Sequence, residues 1–298
     1  MARFRVEPDR AGARLDHFVA AALPGLSVAA ARRLVDGGAV RVEGRVGKKG
    51  ARLAAGQTIE VDDASGAAAA PGARGVRADS EAPLAVLLVD DALVAVDKPA
   101  GVPSHPRAPG ETGTAANAIV ARFPECAAAS PDPREGGLCH RLDTGTSGVL
   151  IAARSRAAWT ALRAALSTDG CEKTYLAEVT GAPPASGESW EAIGRVGRRG
   201  ARVRVGGGRN PLPAHTSWEV VEPRGATTLV RVRIAKGRTH QVRAHLAAAG
   251  HPIAGDDLYG GGAGPLRLHA ASVQFVHPES GRAILIAAPP PDWAKIAP

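Results

Sequence analysis

The sequence is poor in aromatic residues and in cysteines. Aromatic residues make up 3% of its 298 residues, and its 2 tyrosines are Tyr175 and Tyr259. The 3 cysteines are odd in number and lack C-x-x-C spacing, which excludes a disulfide framework or cysteine zinc site and favours a reducing compartment. The N-terminus has no apolar signal segment, and no apolar run is long enough to span a bilayer. These absences predict a cytoplasmic protein with no membrane partner.

The overall composition is that of a globular protein with an excess of cations. Hydrophobic residues make up 45% of the chain and charged residues 22%, which is enough apolar material for a core. Lys and Arg number 37 against 29 Asp and Glu, so the formal net charge is +8. A positive surface favours polyanionic partners such as nucleic acid or an anionic membrane, although a merely soluble basic protein has the same composition.

Residues 1–62 are predicted to form a small α/β domain. Apolar residues recur at helical spacing from Leu15 to Ala22, and Ser27 is a suitable N-cap for a second helix from Val28 to Asp36. Short strands are expected near residues 39–43 and 57–61. The unit therefore has the size and the alternation of elements of a compact domain.

Residues 63–82 are predicted to be a flexible linker, because Ala, Gly, Pro and Ser dominate there and large apolar side chains are scarce.

Residues 83–298 are α/β in texture. The predicted elements are paired strands at 84–89 and 93–96, a helix at 114–123, strands at 148–153, 174–180 and 228–234, a helix capped by Ser155, and a helix at 239–249 capped by Thr239.

Basic residues concentrate in two places. One group lies in the second half of the N-terminal domain and includes Arg32, Arg33, Lys48 and Lys49; it is either a solvated surface or a phosphate-binding one. The other is an Arg- and Gly-rich stretch at residues 194–210, to which the sequence assigns no role.

A polar, glycine-containing loop from His140 to Gly148 precedes an apolar strand, and loops on rigid strands often carry catalytic groups. Arg141, two positions from Asp143, favours an ionised carboxylate, which can act as a nucleophile at an anomeric carbon. An Asp in an Asp-Thr-Gly sequence can equally hydrogen-bond its own turn. The residues alone leave both interpretations open.

Two further sets of residues suit a polyanionic substrate. His240 and Arg243, three positions apart, share one face of the predicted helix, where they either line a cleft or contact phosphate. His240 and His245 are five apart, which is the wrong spacing for a helical metal pair. Tyr175 is either a core aromatic or a surface on which an extruded base stacks.

Several motifs together resemble one enzyme family. The stretch from His140 to Ile151 closely resembles the signature His-Arg-Leu-Asp-x-x-Thr-Ser-Gly of the RluA-type pseudouridine synthases. Further matching stretches occur in the family's order: Lys98 to Gly101 with His105-Pro106, Lys173 to Ala177, Gly237 to Leu246, Gly250 to Ile253 with Gly255-Asp256 and Tyr259-Gly260, and Leu268 to Ala270. The N-terminal domain is similar to the S-four-like RNA-binding domain.

The resemblance implies an α+β pseudouridine-synthase fold with a central, largely antiparallel mixed sheet. It implies that Asp143 is the catalytic nucleophile, that Tyr175 stacks on the target uracil, and that Arg243 pairs with the Asp143 carboxylate. Arg141 is expected to fill the gap left by the flipped nucleotide. The other residues expected to contact RNA are His140, Thr144, Arg238, His240, Arg32, Arg33, Lys48 and Lys49.

The implied activity is isomerisation of uridine to pseudouridine in RNA, with no metal or cofactor, by a monomeric enzyme. Large-subunit ribosomal RNA is favoured because the order of the two domains matches that branch of the family. The alternatives are a transfer RNA pseudouridine synthase of the same family, a non-catalytic RNA-binding protein, and a hydrolase that excises the base.

Overall fold

The structure, a computed structural model, describes residues 2–23, 26, 28–48, 50–62, 75–108, 110–197 and 202–296. The chain divides into two compact units, Met1–Pro71 and Gly72–Pro298. Within the described ranges, every helix is too short or too polar to serve as a membrane span.

The first unit is a four-stranded sheet with two helices. Its elements are β1 (Ala2–Arg5), α1 (Leu15–Ala22), α2 (Val28–Asp36), β2 (Val40–Val42), β3 (Arg45–Val46) and β4 (Thr58–Val61), and the strand order is β1-β4-β2-β3. Both predicted helices are confirmed, and Leu15 and Val19 on α1 are fully buried against Ile59 of β4. The predicted cap Ser27 lies outside the described residues.

A large mixed sheet forms the centre of the second unit. Its strands are β5 (Ala85–Val89), β6 (Leu93–Lys98), β7 (Ser147–Ala153), β8 (Glu172–Thr180), β9 (Ser186–Ser189), β13 (Thr216–Arg224), β14 (Thr227–Ile234), β15 (Leu268–Val276) and β16 (Ala283–Ala287). The order is β5-β6-β7-β15-β8-β14-β13-β9, and β16 pairs with β15. Only the β7–β15 pair of this sheet is parallel, so the predicted largely antiparallel sheet is confirmed.

The helices of this unit are α3 (Ala115–Arg122), α4 (Arg156–Ala165) and α5 (Gln241–Ala248). Local sequence explains where the first two begin: Thr114 forms a capping box with Asn117, and Ser155 accepts the Ala158 N–H at 3.1 Å, as predicted. The predicted cap of α5 is wrong. The N-cap is His240 and not Thr239, and His240 makes no side-chain capping bond.

The second part of the predicted linker differs from the expectation. Val76 is 5% exposed within the core of the second unit, and its N–H donates to Pro133 O at 2.9 Å. The Asp79 carboxylate accepts the Gly113 N–H at 2.9 Å. One apolar side chain and these bonds are enough to attach residues 76–79 to the second unit. Residues 63–74 of the predicted linker lie outside the described residues.

The Arg- and Gly-rich stretch forms a separate three-stranded sheet. Its strands are β10 (Ile193–Val196), β11 (Arg202–Val205) and β12 (Arg209–Leu212), in the order β11-β10-β12. The glycine content has a steric reason, since a Cβ on Gly194 would lie 2.3 Å from Gly207 O. The buried Val203 packs with Ala244 of α5, which attaches this small sheet to the helix.

Candidate active site

The loop that carries Asp143 is held by main-chain and buried side-chain bonds. The Asp143 carbonyl accepts the Thr146 N–H at 3.0 Å and closes the turn. Ser104 Oγ donates to Leu142 O at 2.7 Å and accepts the Leu142 N–H at 3.0 Å. The chain then enters β7 in the middle of the sheet. Asp143 therefore sits on a rigid support.

The buried ammonium of Lys98 provides a second support. The residue is 0% exposed, and Nζ donates to Pro99 O at 2.8 Å, Val102 O at 2.7 Å and Thr144 O at 3.2 Å. Burial lowers the pKa of Lys98 to about 8, while the Asp143 charge acts in the other direction. The lysine thus joins the residue after Asp143 to the end of β6.

The Asp143 carboxylate turns away from its own loop. Its Oδ2 accepts Arg243 Nη1 at 2.9 Å, a contact between residues 100 positions apart. The turn bond, which was one of two interpretations left open for the Asp143 side chain, is made by the main chain. Arg141, the cation next to Asp143 in the sequence, is exposed. The paired guanidinium is that of Arg243, as the resemblance implied.

Arg243 is oriented from behind by Asp256. Its Nε donates to Asp256 Oδ2 at 2.7 Å and its Nη2 to Asp256 Oδ1 at 2.8 Å, which is a bidentate pair. Asp256 is 0% exposed. Burial acts to lower the pKa of Arg243, but the two carboxylates outweigh it and raise the pKa. One edge of the Arg243 guanidinium is therefore fixed by Asp256, and its Nη1 is presented to Asp143.

His240 faces the second oxygen of Asp143. His240 Nε2 is 3.7 Å from Asp143 Oδ1, and Nδ1 is 3.1 Å from the Tyr259 hydroxyl, which accepts the Val203 N–H at 3.0 Å. The hydroxyl can give its proton to Nδ1, and the neutral ring then carries its proton on Nε2, towards Asp143. Burial lowers the pKa of His240. Its φ of 54° is left-handed, a strained conformation for a non-glycine residue and one often found at functional sites.

A cavity of about 560 Å³ opens beside these groups. Asp143, Tyr175, Arg243 and His240 all line it. Tyr175 is 9% exposed and belongs to the core, so it is a buried aromatic and a cavity wall at once. Burial, and next the charge of Asp143, raise the pKa of Tyr175. A carboxylate, a paired guanidinium and an aromatic wall thus meet in a space large enough for a nucleoside.

Comparison with known families matches both units. The model of the RNA pseudouridylate synthase family matches residues 92–248, which is more than half of the chain. This chain belongs to the RNA pseudouridylate synthase family. The S4 domain model matches residues 13–59. The predicted RluA-type synthase with an S-four-like domain is confirmed, and the enzyme is an RNA pseudouridine synthase, an isomerase that acts on RNA.

Curated relatives align with nearly the whole synthase. Ribosomal large subunit pseudouridine synthase D of Xanthomonas campestris is 35% identical and covers 97% of this chain and 89% of its own length. Ribosomal large subunit pseudouridine synthase C of Escherichia coli is 34% identical, with 97% and 93% covered. An uncharacterised RNA pseudouridine synthase of Mycobacterium bovis is 37% identical, with 94% and 92% covered.

A solved structure agrees with the fold of the synthase. Human RNA pseudouridylate synthase domain containing 1 superposes with a TM-score of 0.57 at 26% identity, covering 70% of this chain and 83% of that protein. The pseudouridine-synthase fold implied by the resemblance is therefore confirmed.

The residues predicted to contact RNA in the synthase domain occupy different positions around the cavity. Arg141 is exposed at its rim, and Arg238 lines it while donating from Nε to Pro213 O at 3.3 Å. Thr144 does not line it, and its Oγ1 accepts Arg107 Nη2 at 3.4 Å. Their contacts with RNA stay predictions.

His140 has a different environment from a surface contact residue. Its Nε2 accepts the Ile151 N–H at 3.1 Å, and burial lowers its pKa to about 3, so the ring is neutral near pH 7. His140 lines the cavity, but its ring nitrogen holds the start of the Asp143 loop against β7. A neutral, engaged imidazole offers RNA no charge.

The basic residues predicted to bind RNA in the S4 domain differ in how exposed they are and in whether they already have a partner. Arg32 Nε donates to the 3%-exposed Asp16 at 3.0 Å, so part of its guanidinium already has a partner. Lys48 is exposed. Lys49 and the side chain of Arg33 lie outside what the structure describes. Of this set, Lys48 is the exposed cation most readily available for a phosphate.

Sequence reasoning gave no role to three residues that build the site: Lys98, Asp256 and Tyr259. Each lies in a stretch that carries the family resemblance, and that position was the available signal. Lys98 binds main-chain carbonyls, Asp256 binds Arg243, and Tyr259 contacts His240. None of these contacts follows a local spacing rule.

Proposed function

We propose that this synthase isomerises uridines of large-subunit ribosomal RNA to pseudouridine and that Asp143 is the catalytic residue. One observation carries the proposal: the Asp143 carboxylate faces a cavity with Tyr175 in its wall, while Arg243 holds one of its oxygens at 2.9 Å. The relatives named above as ribosomal large subunit synthases align over 97% of this chain and support the choice of RNA.

In the proposed reaction the target uridine is flipped into the cavity, and its base stacks on Tyr175. Asp143 supports cleavage of the N1–C1′ bond, either by attacking C1′ or by taking the C2′ proton. The retained uracil turns and a C5–C1′ bond forms, with release of the Asp143 oxygen from C1′ in the first route or return of the C2′ proton in the second. The C5 proton is lost while N1 gains one. Atoms balance without water, so the mass of the RNA is unchanged.

Arg243 keeps the carboxylate ionised and oriented, because its other edge is bound to Asp256. Arg141, exposed at the rim, is proposed to occupy the place that the flipped nucleotide leaves. We propose a monomeric enzyme. The 3 free cysteines are buried, which suits the reducing cytoplasm, where we place the reaction.

The test is to incubate the protein with unmodified large-subunit ribosomal RNA and, separately, with transfer RNA transcripts, then map pseudouridines and weigh the digested fragments. We expect pseudouridine in ribosomal RNA with unchanged mass. A mass lowered by that of uracil less one water would indicate a base-excising hydrolase, because water adds at C1′ when the base leaves. Pseudouridine confined to transfer RNA would indicate the other branch, and binding without product would indicate a non-catalytic protein.

Asp143→Asn tests the catalytic role. We expect RNA affinity within about twofold of wild type and product formation reduced by at least about 10⁴-fold, because the amide can neither attack C1′ nor accept a proton. Asp91→Asn, at an exposed position in the β5–β6 turn, is the matched control and should be fully active. Tritium release from C5-labelled RNA by Asp143→Asn at the control rate would rule the role out.

A further inference from the structure

The three-stranded sheet β10–β12, here named the arginine sheet, has one packed face and one exposed face. Val203 and Ile193 are buried and pack against Ala244 of α5. Arg202 and Arg204, on either side of Val203 along β11, are exposed. This alternation is that of a half-buried strand, and it places these arginines on the face that is open to solvent.

The arginines of this sheet lack acidic partners. Within the described part of the chain, none of Arg195, Arg202, Arg204 and Arg209 forms an ion pair, and all four are exposed. The neighbouring sheet differs, since Arg231 and Arg233 both pair with Glu219, at 2.6 and 3.1 Å. By strand register, Arg202 and Arg204 share one face of the sheet, whereas Arg195 and Arg209 lie on the face of Val203. The first two have no carboxylate partner among the described residues and can bind phosphates.

An exposed aromatic stack lies where the chain enters this sheet. Trp190 is 68% exposed, the most open large apolar side chain described in this protein of few aromatics. One of its faces stacks on His215 at a centroid distance of 3.6 Å and an angle of 14°. His215 is itself held by Glu188 at 3.2 Å. The result is a rigid ring with one face left for another planar group.

Both features adjoin the active-site cavity. Arg238, which lines the cavity, donates to Pro213 O, two residues before His215. On the other side, the Arg202 guanidinium lies 5.5 Å from the centre of the Tyr259 ring, and Tyr259 contacts His240 opposite Asp143. A strand of RNA leaving the cavity on this side would therefore meet the arginine sheet and the stacked tryptophan.

We propose that the arginine sheet and the Trp190–His215 stack bind the single-stranded RNA that flanks the flipped uridine. The guanidinium groups contact phosphates, and a base stacks on the open face of Trp190. Charge complementarity and a base-stacking ring are the two components of sequence-tolerant binding to single strands. The inference rests on the proposed function, because it adds a binding surface to that same site.

The phosphate contacts are tested with the double variant Arg202→Gln with Arg204→Gln, which removes both arginines from the face opposite Val203. Binding of a fluorescein-labelled oligouridylate of about ten nucleotides is measured over a range of salt concentrations. We expect affinity at physiological salt to fall about tenfold, and the slope of log K against log salt to flatten by about 1.4, because two phosphate contacts are lost. The matched control is Arg122→Gln with Arg282→Gln, which removes two exposed arginines that do not line the cavity.

The stacking contact is tested with Trp190→Ala and its conservative partner Trp190→Phe. We expect the alanine variant to bind the same oligonucleotide about 5- to 150-fold more weakly, with an unchanged salt slope. Phenylalanine should restore most of the affinity. On the full ribosomal RNA substrate, the variants should raise KM and leave kcat near the wild-type value, because Asp143 and its partners are untouched.

Two outcomes would overturn the inference. One is an arginine double variant whose affinity and salt slope equal those of the control pair. The other is a Trp190→Ala variant that binds as tightly as wild type. Failure of the proposed function is a separate result, since it requires that wild-type protein form no pseudouridine. Thermal unfolding of each variant verifies that a change in affinity belongs to folded protein.

Discussion

Arg243 lies between two aspartates, with Asp143 on the cavity side and Asp256 in the interior. A guanidinium is planar, so the bidentate bonds to Asp256 fix its plane and with it the N–H that points at Asp143. Asp256 does not line the cavity. Its carboxylate binds Arg243 and accepts the main-chain N–H groups of Leu258 and Tyr259. It is a positioning residue, separated from the chemistry by one side chain.

Asp256→Asn is expected to lower the free energy of unfolding by about 3 kcal/mol, because it leaves part of a buried cation unpaired. It should also reduce kcat more than it raises KM, since Asp143 loses its fixed partner. Chemical denaturation and steady-state kinetics measure the two effects. Asp257→Asn, at the exposed neighbouring position, is the control. Equal stability and kcat in the two variants would show that Asp256 does not position Arg243.

Lys98 is a second residue whose effect on Asp143 depends on its charge. The ammonium has three protons for its three carbonyl partners, one of which belongs to Thr144 beside Asp143. Deprotonation leaves two protons, so one carbonyl loses its bond, and it removes a positive charge that acts on Asp143.

We therefore expect kcat to fall as pH rises through about 8, the pKa to which burial lowers Lys98. Stability changes in the opposite direction. The unfolded chain, with the ordinary lysine pKa of 10.5, binds more protons between pH 8 and 10.5, so this group's contribution to stability grows across that window. Rate and denaturation profiles against pH check both signs. An alkaline limb that persists unchanged in Lys98→Met would assign it to another group.

At the scale of elements, the parallel pairing of β7 with β15 sets where the Asp143 loop leaves the sheet. Gly148 pairs with Ala270, and its φ is 107°. A Cβ at Gly148 would lie 2.2 Å from Ala270 O, well inside van der Waals contact. The glycine of the Thr-Ser-Gly signature is thus required by the close approach of two central strands.

Gly148→Ala is expected to cost more than about 3 kcal/mol of unfolding free energy, because strain and a main-chain clash add together. Any folded fraction should have low kcat, since the loop end of β7 moves. Gly170→Ala is the control: its Cβ would meet only Thr168 Oγ1 at 3.8 Å. Thermal and chemical unfolding of both variants give the comparison, and equal stabilities would contradict this account of Gly148.

The beginnings of the helices show how far local sequence carries a prediction. Thr114 and Ser155 cap helices because their side chains reach N–H groups three positions ahead, a purely local bond. At α5 the same reasoning chose Thr239 and was wrong. There His240 takes the N-cap position in a left-handed conformation, and its side chain contacts Tyr259 in place of the helix end.

At the scale of the whole molecule, the net charge of +8 is shared by two units with separate cores. The residues that line the cavity lie in the second unit, whereas exposed cations such as Arg45 and Lys48 lie in the first. Binding affinity should therefore respond to changes in the first unit while the chemical step should not.

The double variant Arg45→Gln with Lys48→Gln is expected to weaken binding to ribosomal RNA about tenfold. The slope of log K against log salt should flatten by between about 1.4 and 1.8, because two phosphate contacts are lost. At saturating RNA, kcat should be unchanged. Arg5→Gln with Arg10→Gln removes the same charge from exposed positions in that unit and serves as control. Equal losses in the two pairs would mean that the S4 domain contributes only diffuse charge.

The sequence by itself determined the family and the class of reaction, and it predicts Asp143 as the residue at its centre. The RluA-type signature is contiguous, so Asp143 and its loop can be identified without coordinates, and the pairing with Arg243 followed from the resemblance. Periodicity also determined the α/β texture and most helices, because the forces that start and stop those elements act between near neighbours. The largely antiparallel sheet followed from the resemblance.

Only the tertiary structure decided what surrounds Asp143. It gave the turn bond to the main chain, left Arg141 exposed at the rim, and placed Asp256 behind the Arg243 guanidinium. It also turned the Arg-rich stretch into a sheet packed on α5. These contacts join residues distant in sequence, so they exist only once the central sheet brings strands and helix together, and no local pattern encodes them.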